Sequence, residues 1–222
     1  MANNVEQTLP RQGLAFSGII TASLSHELNN VFAIINEHNG LIDDMLVAAK
    51  QGVPVDEKKL QRSSQKIAMQ LERGKELIKR LNKFAHSSDN AVAEIQLNDL
   101  LQAIVALSQR LAGLKEMSLE YKPDLVEAIT FNTNPYHLQQ AIFTCFQIFM
   151  INPADNRIVA ITAGRSESKI VIKIIGRQLA DDSQIIDRKE LLGMLLERLN
   201  GKYEIAKEES AIILNLDELK PA

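Results

Sequence analysis

Apolar residues recur at helical intervals from Leu14 to about Ala49. Leu24, Leu28, Val31, Ile35, Ile42 and Leu46 step by threes and fours, with a longer step across Asn39. At about 100° per residue they gather on one side of a helix. Residues 1–13 are polar, hold Pro10 and Gly13, and read as a loose lead-in. Gln51-Gly52-Val53-Pro54-Val55 breaks the helix. A second helix is predicted from Asp56, its N-cap, to about His86. Within it Leu60, Ser64, Ile67, Leu71, Gly74, Ile78, Leu81 and Ala85 alternate four- and three-residue steps, a heptad seam. Two antiparallel helices do not bury two such stripes by themselves. A second copy would complete a four-helix bundle, so a homodimer is expected.

Ser87-Ser88-Asp89-Asn90 is polar and marks a boundary. Beyond it the period switches between that of strands and that of helices. The predicted order is a strand near Ile95–Leu97, a helix at Asn98–Gly113, and strands near Ser118–Lys122 and Ala128–Asn132. A helix at Tyr136–Met150 follows, then strands near Arg157–Ala163 and Lys169–Ile175. A helix at Asp187–Asn200 precedes a hairpin of Lys202–Ala206 and Ala211–Leu216. The expected fold class is therefore α+β: a long two-helix hairpin over residues 1–88, followed by an α/β sandwich over 91–222.

Composition narrows the function classes. A net charge of -3, with aromatics at 5% and no Trp, offers neither a basic patch nor a stacking platform, which points away from nucleic acid. Cys145, the one cysteine, sits in an apolar run and reads as a buried small hydrophobe in a reducing, cytoplasmic setting. Met1–Leu9 lacks a signal-peptide layout. No window approaches the roughly 18–20 apolar residues of a membrane span, so no membrane association is expected. His38, His86 and His137 have no ligand-like spacing to one another or to Cys145, and no metal site is expected.

The candidate chemistry lies in Ser25-His26-Glu27-Leu28-Asn29-Asn30. On the helical wheel His26 falls roughly opposite the apolar stripe, together with Asn30, Glu37 and the small residues Ala22 and Ala33. Ile19 falls near that side too, as a candidate partner contact. A structural histidine belongs on the apolar face or at its edge; this one faces solvent with room around it. Between Leu14 and Val47 the first helix has acidic residues and no basic one, whereas the second carries Lys58, Arg62, Lys66, Arg73, Lys79 and others. Most of these form a solvated face, and a few are candidates for docking an acidic partner or steadying phosphate.

The run SHELNNVFAIINEHNGLIDDML resembles the phosphoacceptor helix of sensor histidine kinases, and LIKRLNKFAH resembles the end of their second hairpin helix. In layout the sandwich is similar to their ATP-binding domain. The resemblance implies that His26 is a phosphoacceptor. Its ATP chemistry, however, is missing. Where those kinases place magnesium- and phosphate-holding asparagines, the run HLQQAIFTCFQIF has Thr144 and Ile148. Where they have an Asp-x-Gly-x-Gly turn, this chain reads Ile174-Ile175-Gly176-Arg177-Gln178-Leu179. The nucleotide lid is absent too, since Ile175 to Leu191 holds only Gly176. Phosphate loops need glycines for close backbone approach, and magnesium needs oxygen ligands. The sandwich thus resembles a degenerate histidine-kinase ATPase domain with no cofactor of its own.

That combination implies a histidine phosphotransferase that relays phosphate between response-regulator receiver domains, the receiver supplying its own aspartate and Mg2+. Glu27 is placed to accept a hydrogen bond from the His26 ring, and Asn30 to orient phosphate or water. Plain helix-surface roles remain open for both. A non-catalytic dimeric module that binds and modulates a response regulator or kinase is the alternative from another class. An active ATP-dependent kinase is the third reading, against which the missing asparagines and glycines stand.

Overall fold

A computed structural model of the chain describes residues 2–123, 129–151, 158–176, 179 and 182–220, with the side chains of 2–7, 182 and 184 outside the description. Two compact units divide it: Met1–Ile20 with Phe84–Ala222, and Thr21–Lys83. We refer to them as the sandwich unit and the hairpin unit.

The hairpin unit is built from α1 (Ala2–Lys50), whose residues from Thr21 onward belong here, and α2 (Glu57–Ala85), of which Glu57–Lys83 belongs here. Gly52, at φ +88°, turns the chain after α1 in a left-handed conformation that suits glycine. Asp56 caps α2 as the sequence predicts, its Oδ1 accepting from Lys59 N at 3.1 Å. Three contacts set the register of the pair: Glu27 with Arg73, His38 Nδ1 with Ser63 Oγ, and Val31 against Gly74. The last is a close approach, since a Cβ on Gly74 would stand 3.4 Å from the Val31 side chain.

The heptad seam predicted for α2 resolves into two rows. Leu60, Ile67, Gly74 and Leu81 are buried or half-buried, and Ser63, Gln70 and Leu77 between them complete the covered face. Ser64, Leu71, Ile78 and Ala85 are exposed, Leu71 at 50% and Ile78 at 49%. A 3.5-residue period presents two adjacent rows, and one neighbouring helix covers only one of them. On α1, Phe32 and Leu46 are likewise left in water.

In the sandwich unit the strands are β1 (Ala93–Gln96), β2 (Ser118–Tyr121), β3 (Thr130–Thr133), β4 (Ile158–Ser166), β5 (Lys169–Ile175), β6 (Gly201–Ala206) and β7 (Ala211–Leu216). The helices are α3 (Leu97–Gly113), α4 (Pro135–Phe149) and α5 (Asp182–Arg198). Five strands form a mixed sheet in the order β2-β4-β5-β7-β6, in which only β2 and β4 run parallel, and β1 pairs with β3 separately. Val159, Ile161 and Ala163 on β4, and Ile170, Ile172 and Ile174 on β5, are buried, while the residues between them are half-buried. That period of two gives the sheet one core face; α3 packs beside β2, α5 beside β6, and α4 against both of these helices. The α+β architecture and every strand and helix predicted after residue 90 are present, with ends shifted by a few residues. The predicted strand ends at Ala128 and Arg157 lie outside the described residues.

Residues 1–13 correct the sequence reading, because α1 runs back to Ala2 through Pro10. Proline removes one intrahelical hydrogen bond. Tertiary packing outweighs that loss here, since Gly13, Phe16 and Ile20 are buried on one face of the helix within the sandwich unit. Phe16 sits 5.1 Å from Phe143, 5.4 Å from Phe84 and 5.6 Å from Tyr136, ring centre to ring centre. The Tyr136 hydroxyl donates to the carbonyl of Gly13 and lies 2.9 Å from Ser17 Oγ, which therefore donates to it. A side chain at Gly13 would press on that hydroxyl, with its Cβ 3.3 Å away. The predicted boundary at Ser87–Asn90 begins as an ordered turn: His86–Ser88 is 3-10 helix, and buried Ser87 donates to Phe84 O at 2.6 Å.

Candidate functional site

The α1 backbone fixes where each residue of the Ser25–Asn30 run points. Ser23 and Leu24 are buried, while Ser25, His26, Asn29 and Asn30 are exposed. Asn30 stands four residues after His26, so the two side chains are neighbours on one helix face, about 5–6 Å apart at Cβ. Ala22 and Ala33 on the same side are exposed as well, leaving the imidazole open to an approaching surface. Ile19, in the stretch of α1 that belongs to the sandwich unit, is 36% exposed.

Glu27 is differently placed. One residue on from His26, it is turned about 100° around the helix toward α2. Its side chain is 17% exposed and its Oε2 lies 3.4 Å from Arg73 Nη2. In this conformation the carboxylate is held by Arg73 and makes no bond to the His26 ring. Sequence reasoning named Arg73 only among the basic residues of α2 and did not pair it with Glu27. Its signal was the charge asymmetry between the two helices, which gives Glu27 a basic partner on the facing one.

The remaining histidines have local surroundings. His38 meets Ser63 at 3.4 Å and His86 meets Asp89 at 2.7 Å. Among the described residues no three His, Cys, Asp or Glu side chains cluster as a metal site. His137 lies on the first turn of α4. Burial, and secondarily the Arg198 charge, hold its pKa below the usual 6.5. Below that value the unfolded chain takes up a proton before the folded one does, so this contribution is complete above pH 6.5 and fades as the pH falls. We expect the urea midpoint to fall between about pH 7 and pH 5, and His137→Gln to flatten that dependence.

The α4 positions Thr144 and Ile148, and the turn after β5, are packed among apolar groups. Asn134 caps α4, accepting from His137 N at 2.8 Å, and Pro135 occupies the first helical position. That start aims Thr144 and Ile148 into the core, at 1% and 0% exposure. The Thr144 hydroxyl is consumed by Gln140 O at 2.8 Å. Cys145 is fully buried and burial pushes its thiol pKa up, in keeping with a packing role. At the end of β5 the Phe149 ring lies against Gly176, where an added Cβ would come within 2.5 Å of it. Gly176→Ala is therefore expected to cost about 1–3 kcal/mol by overpacking. Urea titration measures this, and Phe149→Leu in the same chain should recover part of the loss. Arg177 and Gln178 lie outside the described residues, and the chain is helical again from Asp182, five residues earlier than the predicted start at Asp187.

No helix of the described chain is long and apolar enough to cross a membrane. No protein-family model matches the sequence. No curated protein matches it either. Similar solved structures include the histidine kinase AdeS of Acinetobacter baumannii, at 12% identity and TM-score 0.48, covering 88% of this chain and 98% of that one. The catalytic domain of histidine kinase ThkA, in a nucleotide-free form, matches at 13% identity and TM-score 0.48 over 57% of this chain and 97% of its own. ThkA in complex with response regulator protein TrrA matches at 16% identity and TM-score 0.47, covering 98% of this chain and 66% of that one. Likenesses of this size assign no role to any residue, and the site rests on its own geometry.

Proposed function

We propose that this chain works in two-component signalling as a histidine phosphotransferase, with His26 carrying the phosphoryl group. The observation that carries the proposal is the exposed His26–Asn30 pair, set on the open side of a helix whose adjacent carboxylate is held back by Arg73. A neutral imidazole nitrogen attacks the phosphorus of a receiver's aspartyl phosphate. The N–P bond forms, the acyl P–O bond breaks, and the aspartate leaves as carboxylate. The second ring nitrogen keeps its proton, so the phosphoimidazole is a fair leaving group for a second aspartate to displace. Asn30 donates to the transferring oxygens. Glu27, if released by Arg73 as the receiver docks, accepts from the imidazole N–H and fixes the tautomer. Mg2+ belongs to the receiver and offsets charge on the phosphoryl group.

Residues 1–88 would dimerise and carry phosphate in the cytoplasm, and 91–222 would form a degenerate ATPase-like domain. Buried Thr144 and Ile148, and the Phe149 ring over Gly176, support the loss of ATP chemistry. Exposed Leu71 and Ile78, one heptad apart on α2, support the homodimer, because an apolar row on a soluble helix marks an interface. Sedimentation equilibrium should give a dimer for the natural chain and a monomer for Leu71→Glu with Ile78→Glu. A natural chain that stays monomeric at micromolar concentration would remove the bundle from the account.

The test of function uses two donors. A receiver labelled on its aspartate should lose label to this chain, whereas labelled ATP should leave the chain blank. Label from ATP would restore the active-kinase reading. Tight receiver binding with no label at any time, equal in His26→Ala, would favour the non-catalytic module.

A further inference from the structure

The sandwich unit holds a pocket of about 440 Å³ that the phosphotransfer proposal does not use. It opens where three elements of this unit meet: the Leu9–Leu14 stretch of α1, the first turns of α4, and the last turn of α5. Its lining divides by chemistry. Leu9, Pro10 and Leu14 supply apolar surface, with Leu14 77% exposed. His137, Gln140 and Arg198 supply polar groups.

Gln140 lacks a protein partner that its chemistry calls for, and Arg198 has no counter-ion among the described residues. Gln140 is 2% exposed, and its Nε2 is buried with no hydrogen-bond partner. Such a donor is costly to leave unmade, and an unpaired one in a native structure needs an explanation. Arg198 is exposed and makes no ion pair among the described residues, and its charge helps hold the His137 pKa down. No aspartate or glutamate lines the pocket among the described residues. The lining thus joins two donors and a ring nitrogen to apolar surface, with a cation that has no counter-ion among the described residues.

We infer that this pocket binds a small organic anion, a carboxylate carried on an apolar body. The carboxylate pairs with the planar Arg198 fork and accepts from Gln140 Nε2, satisfying both at once. The apolar body lies along Leu9, Pro10 and Leu14, giving the mixed lining usual for small-ligand sites. Inorganic phosphate would pair with Arg198 and leave the apolar lining wet, so it is the poorer fit. Because the lining comes from three elements, occupancy fastens the Leu9–Leu14 stretch of α1 to α4 and α5 and raises the stability of this unit. The inference stands whether or not His26 carries phosphate.

Calorimetry and thermal unfolding of the full chain with hexanoate, hexylamine and inorganic phosphate test it. Hexanoate should bind saturably and raise the unfolding temperature, and the other two should not. Arg198→Gln should weaken hexanoate at least about tenfold, as expected for loss of a charge-assisted pair. Gln140→Leu should also weaken it, while the unliganded variant unfolds no earlier than the natural chain, since an unpaired buried donor has been removed. Absence of saturable hexanoate binding, an equal response to phosphate, or binding undiminished in both variants would overturn the assignment.

Discussion

Replacing His26 by alanine is expected to reduce label uptake from a phosphorylated receiver to background. Without the imidazole no side chain of the exposed Ser25–Asn30 face offers a nitrogen nucleophile: Asn29 and Asn30 carry amides, and Ser25 has an unactivated hydroxyl. The loss should be specific. His26 is exposed and makes no hydrogen bond or ion pair within the hairpin, so its removal should change stability by no more than about 0.5 kcal/mol. Alanine also suits a helix interior. Helical content, dimer mass and receiver binding should therefore match those of the natural chain. Transfer that survived in His26→Ala would place the chemistry elsewhere. Asn30→Ala should retain the phosphoacceptor and slow its turnover.

The largest expected effect on stability belongs to Phe16→Ala. Phe16 is 3% exposed and contacts three rings, contributed by α4 and by the end of α2. Truncating a buried phenylalanine to alanine costs about 3–5 kcal/mol, through lost burial and the cavity left behind. The same helix provides its own control two residues earlier. Leu14 is 77% exposed, and Leu14→Ala should stay within about 0.5 kcal/mol. Urea unfolding of the full chain separates the two. Equal midpoints for Phe16→Ala and the natural chain would show that the Phe16 turn of α1 contributes nothing to the sandwich unit.

Phe16 also marks the limit of what the sequence discloses. Helical periodicity from Leu14 onward was legible because α1 there keeps one apolar stripe at steps of three and four. The stretch before it reads as loose, since Pro10 and Gly13 are local breakers. What holds it as helix is non-local: Gly13 lies against Tyr136, which is 123 residues away. No window of sequence reports that contact. The α2 seam was legible as a period but not as a division of labour, because a heptad pattern alone does not say which row meets the chain's own helix. The sheet strands were legible throughout, since alternate burial writes a period of two into β4, β5 and β7.

The candidate site was legible in part. The wheel placed His26 and Asn30 together on the open side, and both are exposed there. It did not pair Glu27 with Arg73, because that contact depends on the register between two helices, which neither helix's own period fixes. Thr144 and Ile148, at the positions where the resemblance implies asparagines, were plain in the sequence. The packing of Phe149 on Gly176 was not, since it brings together the end of α4 and the end of β5.

The most direct measurement maps the phosphate itself. The natural chain, mixed with a receiver phosphorylated on aspartate, is digested at alkaline pH and its phosphopeptides are identified by mass. The account requires phosphate on the peptide containing Ser25–Asn30, at His26, stable in base and lost in acid. Phosphate that stays on the receiver, or appears on any other residue of this chain, contradicts it.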